Sequence, residues 1–137
     1  KLFSEIKTKD ISVNFNFPDE VIWVNSNSNL LERVLQNLIE NAVKYSDVAG
    51  TIDLDIILSE QEVGFSIKDS GIGIPENEVN LVFDQFYRAS NVSHNTEMGT
   101  GLGLKFVKTA VERLQGRVTM KSELHSGTVV CVWLLLC

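Results

Sequence analysis

Asn37 and Asn41 stand four residues apart, with Glu40, Lys44 and Tyr45 around them. If this segment is helical, a turn of about 100° per residue puts Asn41 and Lys44 within roughly 40° of Asn37, with Glu40 and Tyr45 flanking them. The plain reading of such a face is solvated surface. Asparagine, however, is a weak helix former whose amide competes with the backbone. Two of them one turn apart are a cost that an ordinary surface does not require. Their amide oxygens are hard donors that suit magnesium, an ion that takes few protein ligands and keeps several waters. A lysine beside them can meet phosphate as a point charge.

Two glycine-bearing stretches follow in the chain. Asp69, Gly71 and Gly73 occur as Asp69-Ser70-Gly71-Ile72-Gly73-Ile74-Pro75. As a plain feature this is a tight turn from strand to helix. Chemically, an ionised carboxylate only accepts hydrogen bonds. It suits the exocyclic amine of adenine and repels the carbonyl that guanine has there, while glycines permit close approach to the backbone. The second stretch is Gly99-Thr100-Gly101-Leu102-Gly103-Leu104. Its backbone N–H groups and the start of a following helix make an anion site, with Lys105 just inside as a solvated charge. The familiar phosphate loops do not fit. The pattern G-x-x-x-x-G-K-[ST] fails at Leu104, and G-x-G-x-x-G fails at Leu104 or at Phe106. Protein-kinase catalytic-loop signatures are missing too.

These residues must be held by a fold of modest size. The chain has 137 residues, 44% hydrophobic and 22% charged, which suits one globular domain. A net charge of −6 argues against binding a nucleic-acid backbone. The two cysteines, Cys131 and Cys137, have neither metal-ligand spacing nor the look of a disulfide framework, so a reducing, cytoplasmic setting is the expectation. The nine-residue apolar run 129–137 is too short to span a membrane and reads as a buried strand. Because the chain opens on Lys1 rather than Met, we expect a piece of a longer protein.

Periodicity sets the elements. Residues 11–17 alternate as a half-buried strand does, and Pro18 and Asp19 turn the chain. Residues 21–24 read as a short second strand. The longest helix is expected over 28–45, capped by Asn27 or Ser28, with Glu32 in its first turn. Leu31, Val34, Leu35, Leu38, Ile39 and Ala42 form its core stripe. Residues 51–58 and 63–67 read as a hairpin, a short helix follows Pro75, and 84–98 is polar and irregular. A second long helix is expected over 102–114, ended near Gly116. Residues 117–122 and 128–135 close as a hairpin turned at His125, Ser126 and Gly127. The class is α+β: a two-layer sandwich with a mixed, mostly antiparallel sheet of about five to six strands and three helices on one face.

The order of these motifs, together with Phe83-Asp84-Gln85-Phe86-Tyr87-Arg88, resembles the catalytic ATP-binding domain of bacterial sensor histidine kinases. That superfamily includes DNA gyrase, the MutL repair ATPases and a heat-shock chaperone. The resemblance runs from about residue 11 to 136, and the aromatic segment ending in Arg88 is its most discriminating part. It implies ATP and Mg2+ as cofactors. Asn41 would be the metal ligand and Asn37 its helper, with Lys44 and Tyr45 on phosphate and nucleotide. Asp69 would read adenine, with Gly71, Gly73 and Ile74 shaping the pocket and Thr128, after Ser126 and Gly127, at its floor. Gly99, Thr100, Gly101, Leu102, Gly103 and Leu104 would face the phosphates. Phe86 would also belong to the nucleotide site, and Phe83, Phe86 and Tyr87 would dock the lid against a missing hairpin. Arg88 would meet the γ-phosphate, and Glu40 would polarise the acceptor histidine. Residues 91–98 would be a mobile ATP lid.

The resemblance also implies partners. The acceptor histidine would sit on the kinase's own dimerisation domain, and residues 1–10 would be the tail of that hairpin, leaving 11–137 as the catalytic domain. His94 and His125 would be exposed bystanders. A response-regulator receiver domain would be the next partner. Anchorage of the parent protein in the bacterial inner membrane stays open. Two other classes compete: a non-catalytic or serine-directed ATP-binding regulator of the anti-sigma type, and an ATPase clamp of the gyrase or repair type. The clamp would want a water-activating glutamate at position 37, which is Asn.

Overall fold

A computed structural model of the chain describes residues 2–24, 26–79, 81 and 103–136. The expected aromatic segment 83–88, the lid 91–98 and the first four residues of the stretch 99–104 lie outside the described residues. The elements in order are α1 (Leu2–Lys9), β1 (Ser12–Asn16), α2 (Ser28–Tyr45), β2 (Thr51–Leu58), β3 (Glu62–Asp69), a 3₁₀ turn (Glu76–Glu78), α3 (Gly103–Arg113), β4 (Arg117–Glu123) and β5 (Gly127–Leu135). The strands form one five-stranded sheet in the order β1-β2-β3-β5-β4. β1 runs parallel to β2, and the other neighbours are antiparallel. This is the α+β arrangement that the sequence implies.

α2 forms where its start and stop signals place it. The Asn27 side chain accepts from the Leu30 N–H at 3.1 Å, which satisfies one of the free donors of the first turn. At the other end Ser46 is extended, and both its N–H and its hydroxyl donate to the Ala42 carbonyl, at 3.1 and 2.7 Å. Val34, Leu38 and Ala42 of the expected stripe are buried, and so is Val43, which lies outside it. The first turn carries no acidic residue, so Glu32 falls beyond it.

Residues 21–24 do not form a strand. Only Val24 pairs, in an isolated bridge to Leu136, while Val21 and Trp23 are each 75% exposed. The four residues are all apolar, but beyond that bridge no strand among the described residues runs beside them to complete a ladder.

The strand register stacks the helix-facing side of the sheet in rows. Leu58, Val63 and Leu134 make one row, then Ile56, Phe65, Val132 and Val118, then Leu54, Ile67, Val130 and Met120. Apart from Leu58, which is 42% exposed at the end of its strand, these rows form the core with Val34, Leu38 and Val43 of α2 and Val107, Ala110 and Val111 of α3. α3 ends at Arg113, and Gln115 takes a positive φ of 60° before Gly116. On the opposite side of the sheet the Trp133 ring lies over Gly64, with the Arg117 guanidinium 4.9 Å from its centroid and paired with Glu62 at 3.0 Å. Among the described residues no helix is long and apolar enough to cross a membrane.

Candidate functional site

The next row across the sheet breaks the apolar pattern. It reads Ile52, Asp69, Thr128 and Ser122, and it still faces the helices. A polar row on the core side of a sheet costs free energy unless its groups are satisfied. Asp69 is only 8% exposed. One of its oxygens, Oδ1, accepts from the Gly71 N–H at 2.9 Å, and the Thr128 N–H also donates to this carboxylate. Burial pushes the Asp69 carboxyl above its ordinary range; the two N–H groups pull it back down, and Asp47 adds a smaller push upward.

Ser122 and Thr128 complete the row through their hydroxyls. The two oxygens are 2.7 Å apart, and Ser122 Oγ also donates to the Gly127 carbonyl at 3.1 Å. With the Ser122 proton used there, the Thr128 hydroxyl donates to Ser122. Ser122 Oγ in addition accepts from the Ile74 N–H at 2.7 Å, which fixes the loop after Asp69 to the far edge of the row. Ser122 was not indicated by any motif; the alternation of β4, which places it on the helix-facing side, was the available signal.

The glycines of the loop answer to the protein's own backbone. A Cβ on Gly71 would lie 2.0 Å from the Tyr45 carbonyl oxygen, and the neighbouring Ile72 N–H donates to that oxygen at 3.2 Å. Gly73 has a φ of +72°, and its Cβ would lie 2.0 Å from the Glu123 carbonyl oxygen. The loop is therefore clamped between the end of α2 and the end of β4.

This brings the two sequence-indicated clusters together. Asn41 is one turn before Tyr45 on α2, about 6 Å along the axis, so it lies one turn from the Asp69 loop. Asn37, Glu40, Asn41, Lys44 and Tyr45 are all partly exposed. Asn37 Nδ2 donates to the Arg33 carbonyl at 2.9 Å, and Glu40 Oε1 accepts from Gln36 Nε2 at 3.2 Å. The last carbonyls of α2 are taken by side chains and loops. Lys9 Nζ donates to Val43, Lys44 and Ser46 oxygens at 3.0, 2.9 and 3.2 Å, which no motif indicated.

Leu104, the second residue of α3, is partly buried against the core, and Lys105 is exposed, as expected of a solvated charge. His125 is exposed in the turn between β4 and β5; His94 lies outside the described residues. Cys131 is buried in the sheet with its thiol pushed up to about 11 by burial, so it stays neutral and unreactive. An open groove of about 690 Å³ beside Pro75, Glu76 and Leu124 shares only Ser122 with the polar row and includes neither Asp69 nor Asn41. Among the described residues no three His, Cys, Asp or Glu side chains gather as a metal site.

Residues 26–136 match the protein family described as histidine kinase-, DNA gyrase B-, and HSP90-like ATPase. The chain is 38% identical over 127 residues to the sensor histidine kinase WalK of Bacillus subtilis, covering 90% of this chain and 21% of that protein. It is 33% identical over 132 residues to the sensor protein kinase WalK of Staphylococcus aureus, covering 95% of this chain and 22% of the relative. It thus spans about a fifth of the length of each. Among solved structures it superposes on the mycobacterial sensor histidine kinase MprB with a TM-score of 0.82 at 25% identity, covering 98% of this chain and 93% of that one. A structure titled full-length ShkA in complex with AMPPNP shares the fold, with a TM-score of 0.82 at 24% identity, covering 98% of this chain and 27% of that one.

Proposed function

The chain belongs to the histidine kinase-, DNA gyrase B- and HSP90-like ATPase family, and on that premise we propose that it is the ATP-binding catalytic domain of a sensor histidine kinase. It transfers the γ-phosphoryl group of ATP to a histidine carried by the parent protein's dimerisation domain, from which a response-regulator receiver domain takes it. The observation that carries this reading is Asp69. A buried carboxylate, held by the Gly71 and Thr128 N–H groups at the polar end of the sheet, is an acceptor whose burial no cation among the described residues offsets. The exocyclic amine of adenine is the donor that it fits.

The chain's residues then divide the work. Asp69 reads the base, and the loop from Gly71 to Ile74 forms the wall against which it stacks. Thr128 closes the floor. Lys44 and the N-terminal end of α3, with Gly103 and Leu104, face the phosphates. Gly99, Thr100, Gly101, Leu102, Phe86 and Arg88 complete the site from outside the described residues. Magnesium, held by the amide oxygen of Asn41 with Asn37 beside it, would neutralise charge on the phosphates; amide oxygens and few protein ligands suit that ion. Glu40 orients the attacking imidazole. Transfer needs positioning and charge neutralisation more than covalent work by the protein, which this set can supply.

The test is transfer itself. The chain is incubated with Mg–ATP labelled on the γ-phosphate and a separately supplied dimerisation domain of a related kinase. Label on that domain's histidine is the expected result. Label on serine, or hydrolysis with no transfer, would replace this reading with the serine-directed regulator or the ATPase clamp.

A further inference from the structure

An α-helix leaves its last four carbonyls without partners inside the helix. In α2 these belong to Ala42, Val43, Lys44 and Tyr45. Ser46 takes Ala42, and the Ile72 N–H of the Asp69 loop takes Tyr45 at 3.2 Å. The two between them are taken by one side chain from the far end of the sequence. Lys9, the last residue of α1, donates to Val43 and Lys44 at 3.0 and 2.9 Å and to Ser46 just beyond at 3.2 Å. An ammonium has three donors, and here each has a carbonyl. A cation at a helix C-terminus is also favoured by the helix dipole. The Lys9 backbone is fixed as well, since its carbonyl accepts from the Ala49 N–H at 2.7 Å.

α1 and the Asp69 loop therefore hold successive carbonyls of the same helical turn, from two sides. We infer that Lys9 is a positioning residue for Asp69: its ammonium sets the last turn of α2, and that turn sets the Asp69–Gly73 loop. This rests on the proposed nucleotide-binding reading and deepens it. The link has no slack. Tyr45 O bonds to Ile72 N, and it leaves no room for a side chain on Gly71. The Gly71 N–H in turn orients Asp69 Oδ1 at 2.9 Å. Without the ammonium, Val43 and Lys44 carbonyls must turn toward water, the last turn loosens, and the loop loses its seat. A movement of α1 that withdraws Lys9 weakens base recognition in the same way.

The test uses the chain as it exists. ATP is titrated calorimetrically into the native chain, Lys9→Met and Lys9→Arg, well below each measured Tm. Lys9→Met is expected to weaken ATP binding about tenfold, within the usual range of coupling between sites, and Lys9→Arg, which restores charge and donors, to recover most of the affinity. A merely stabilising Lys9 would lower the Tm of Lys9→Met and leave its ATP affinity unchanged, which overturns the inference. Coupling is reciprocal, so ATP must also tighten α1. Amide exchange at Asp10 and Ile11, whose N–H groups bond to Lys7 and Ile6, should slow when ATP is added to the native chain. Unchanged exchange there overturns the inference even if Lys9→Met fails to fold. A native chain that does not bind ATP removes the proposed function and this inference with it, and its own titration reveals that case directly.

Discussion

The carbonyl oxygen of Tyr45, at the end of the long helix, occupies the space that a side chain on Gly71 would need: a Cβ there would approach it to 2.0 Å. The obstacle is backbone, and it is tied to Ile72, so it cannot swing away. Gly71→Ala should destabilise the fold by about 1–3 kcal/mol, the usual cost of overpacking. Gly64→Ala is the comparison. Its Cβ would meet the ring of Trp133 at 2.8 Å, a side chain that can tilt, so it should cost less. Urea denaturation of both variants checks this, and a Gly71→Ala as stable as Gly64→Ala would contradict the clamp.

The raised carboxyl of Asp69 fixes a sign in the pH dependence of stability. Burial is the largest cause of the shift. Between the ordinary aspartate range and the raised folded value, the native state holds more protons than the unfolded one, so stability falls as pH rises through that window. An asparagine there has no such titration. The Tm of Asp69→Asn minus that of the native chain should therefore grow with pH across the weakly acidic range and level off above it. Calorimetric scans of both proteins over that range test the sign; a difference that shrinks as pH rises would mean that Asp69 is held below its ordinary range.

Asn41 and Arg88 should separate binding from transfer. In the proposed site Asn41→Asp would put a further negative charge beside the triphosphate, and it should cut magnesium-dependent transfer to a supplied dimerisation domain by about a hundredfold or more. Arg88→Ala should leave ATP affinity within a few-fold and reduce transfer on the same scale. Unchanged transfer in Asn41→Asp would remove its metal role, and equal losses of affinity and transfer in Arg88→Ala would reduce Arg88 to a wall of the pocket.

Much of this architecture was legible because it depends on local pattern. The 28–45 helix follows from its 3.6-residue apolar period and the Asn27 cap, and the hairpins follow from period-two alternation between turn residues. Asp69 and its glycines were legible as a turn with unusual chemistry. What the sequence alone did not reveal needs partners distant along the chain. Val43 is fully buried, though it stands outside the stripe that marks the core face. Lys9 reads as a surface lysine until the end of α2 is placed beside it, and Ser122 reads as one polar residue among several in an edge strand. The misread strand 21–24 shows the same thing from the other side: a short apolar run is local, but a strand exists only where a neighbour offers it a ladder. Gly71 and Gly73, read as making room for a base, make room first for the carbonyls of Tyr45 and Glu123.

In the proposed function Asp69 selects adenine in a magnesium-assisted ATP site. Calorimetric titration of the chain with ATP and with GTP, each with and without magnesium, tests it most directly. ATP should bind, magnesium should tighten it, and GTP should be rejected, because its ring carbonyl would face the Asp69 carboxylate. Equal affinity for ATP and GTP, or no binding of either, would contradict it.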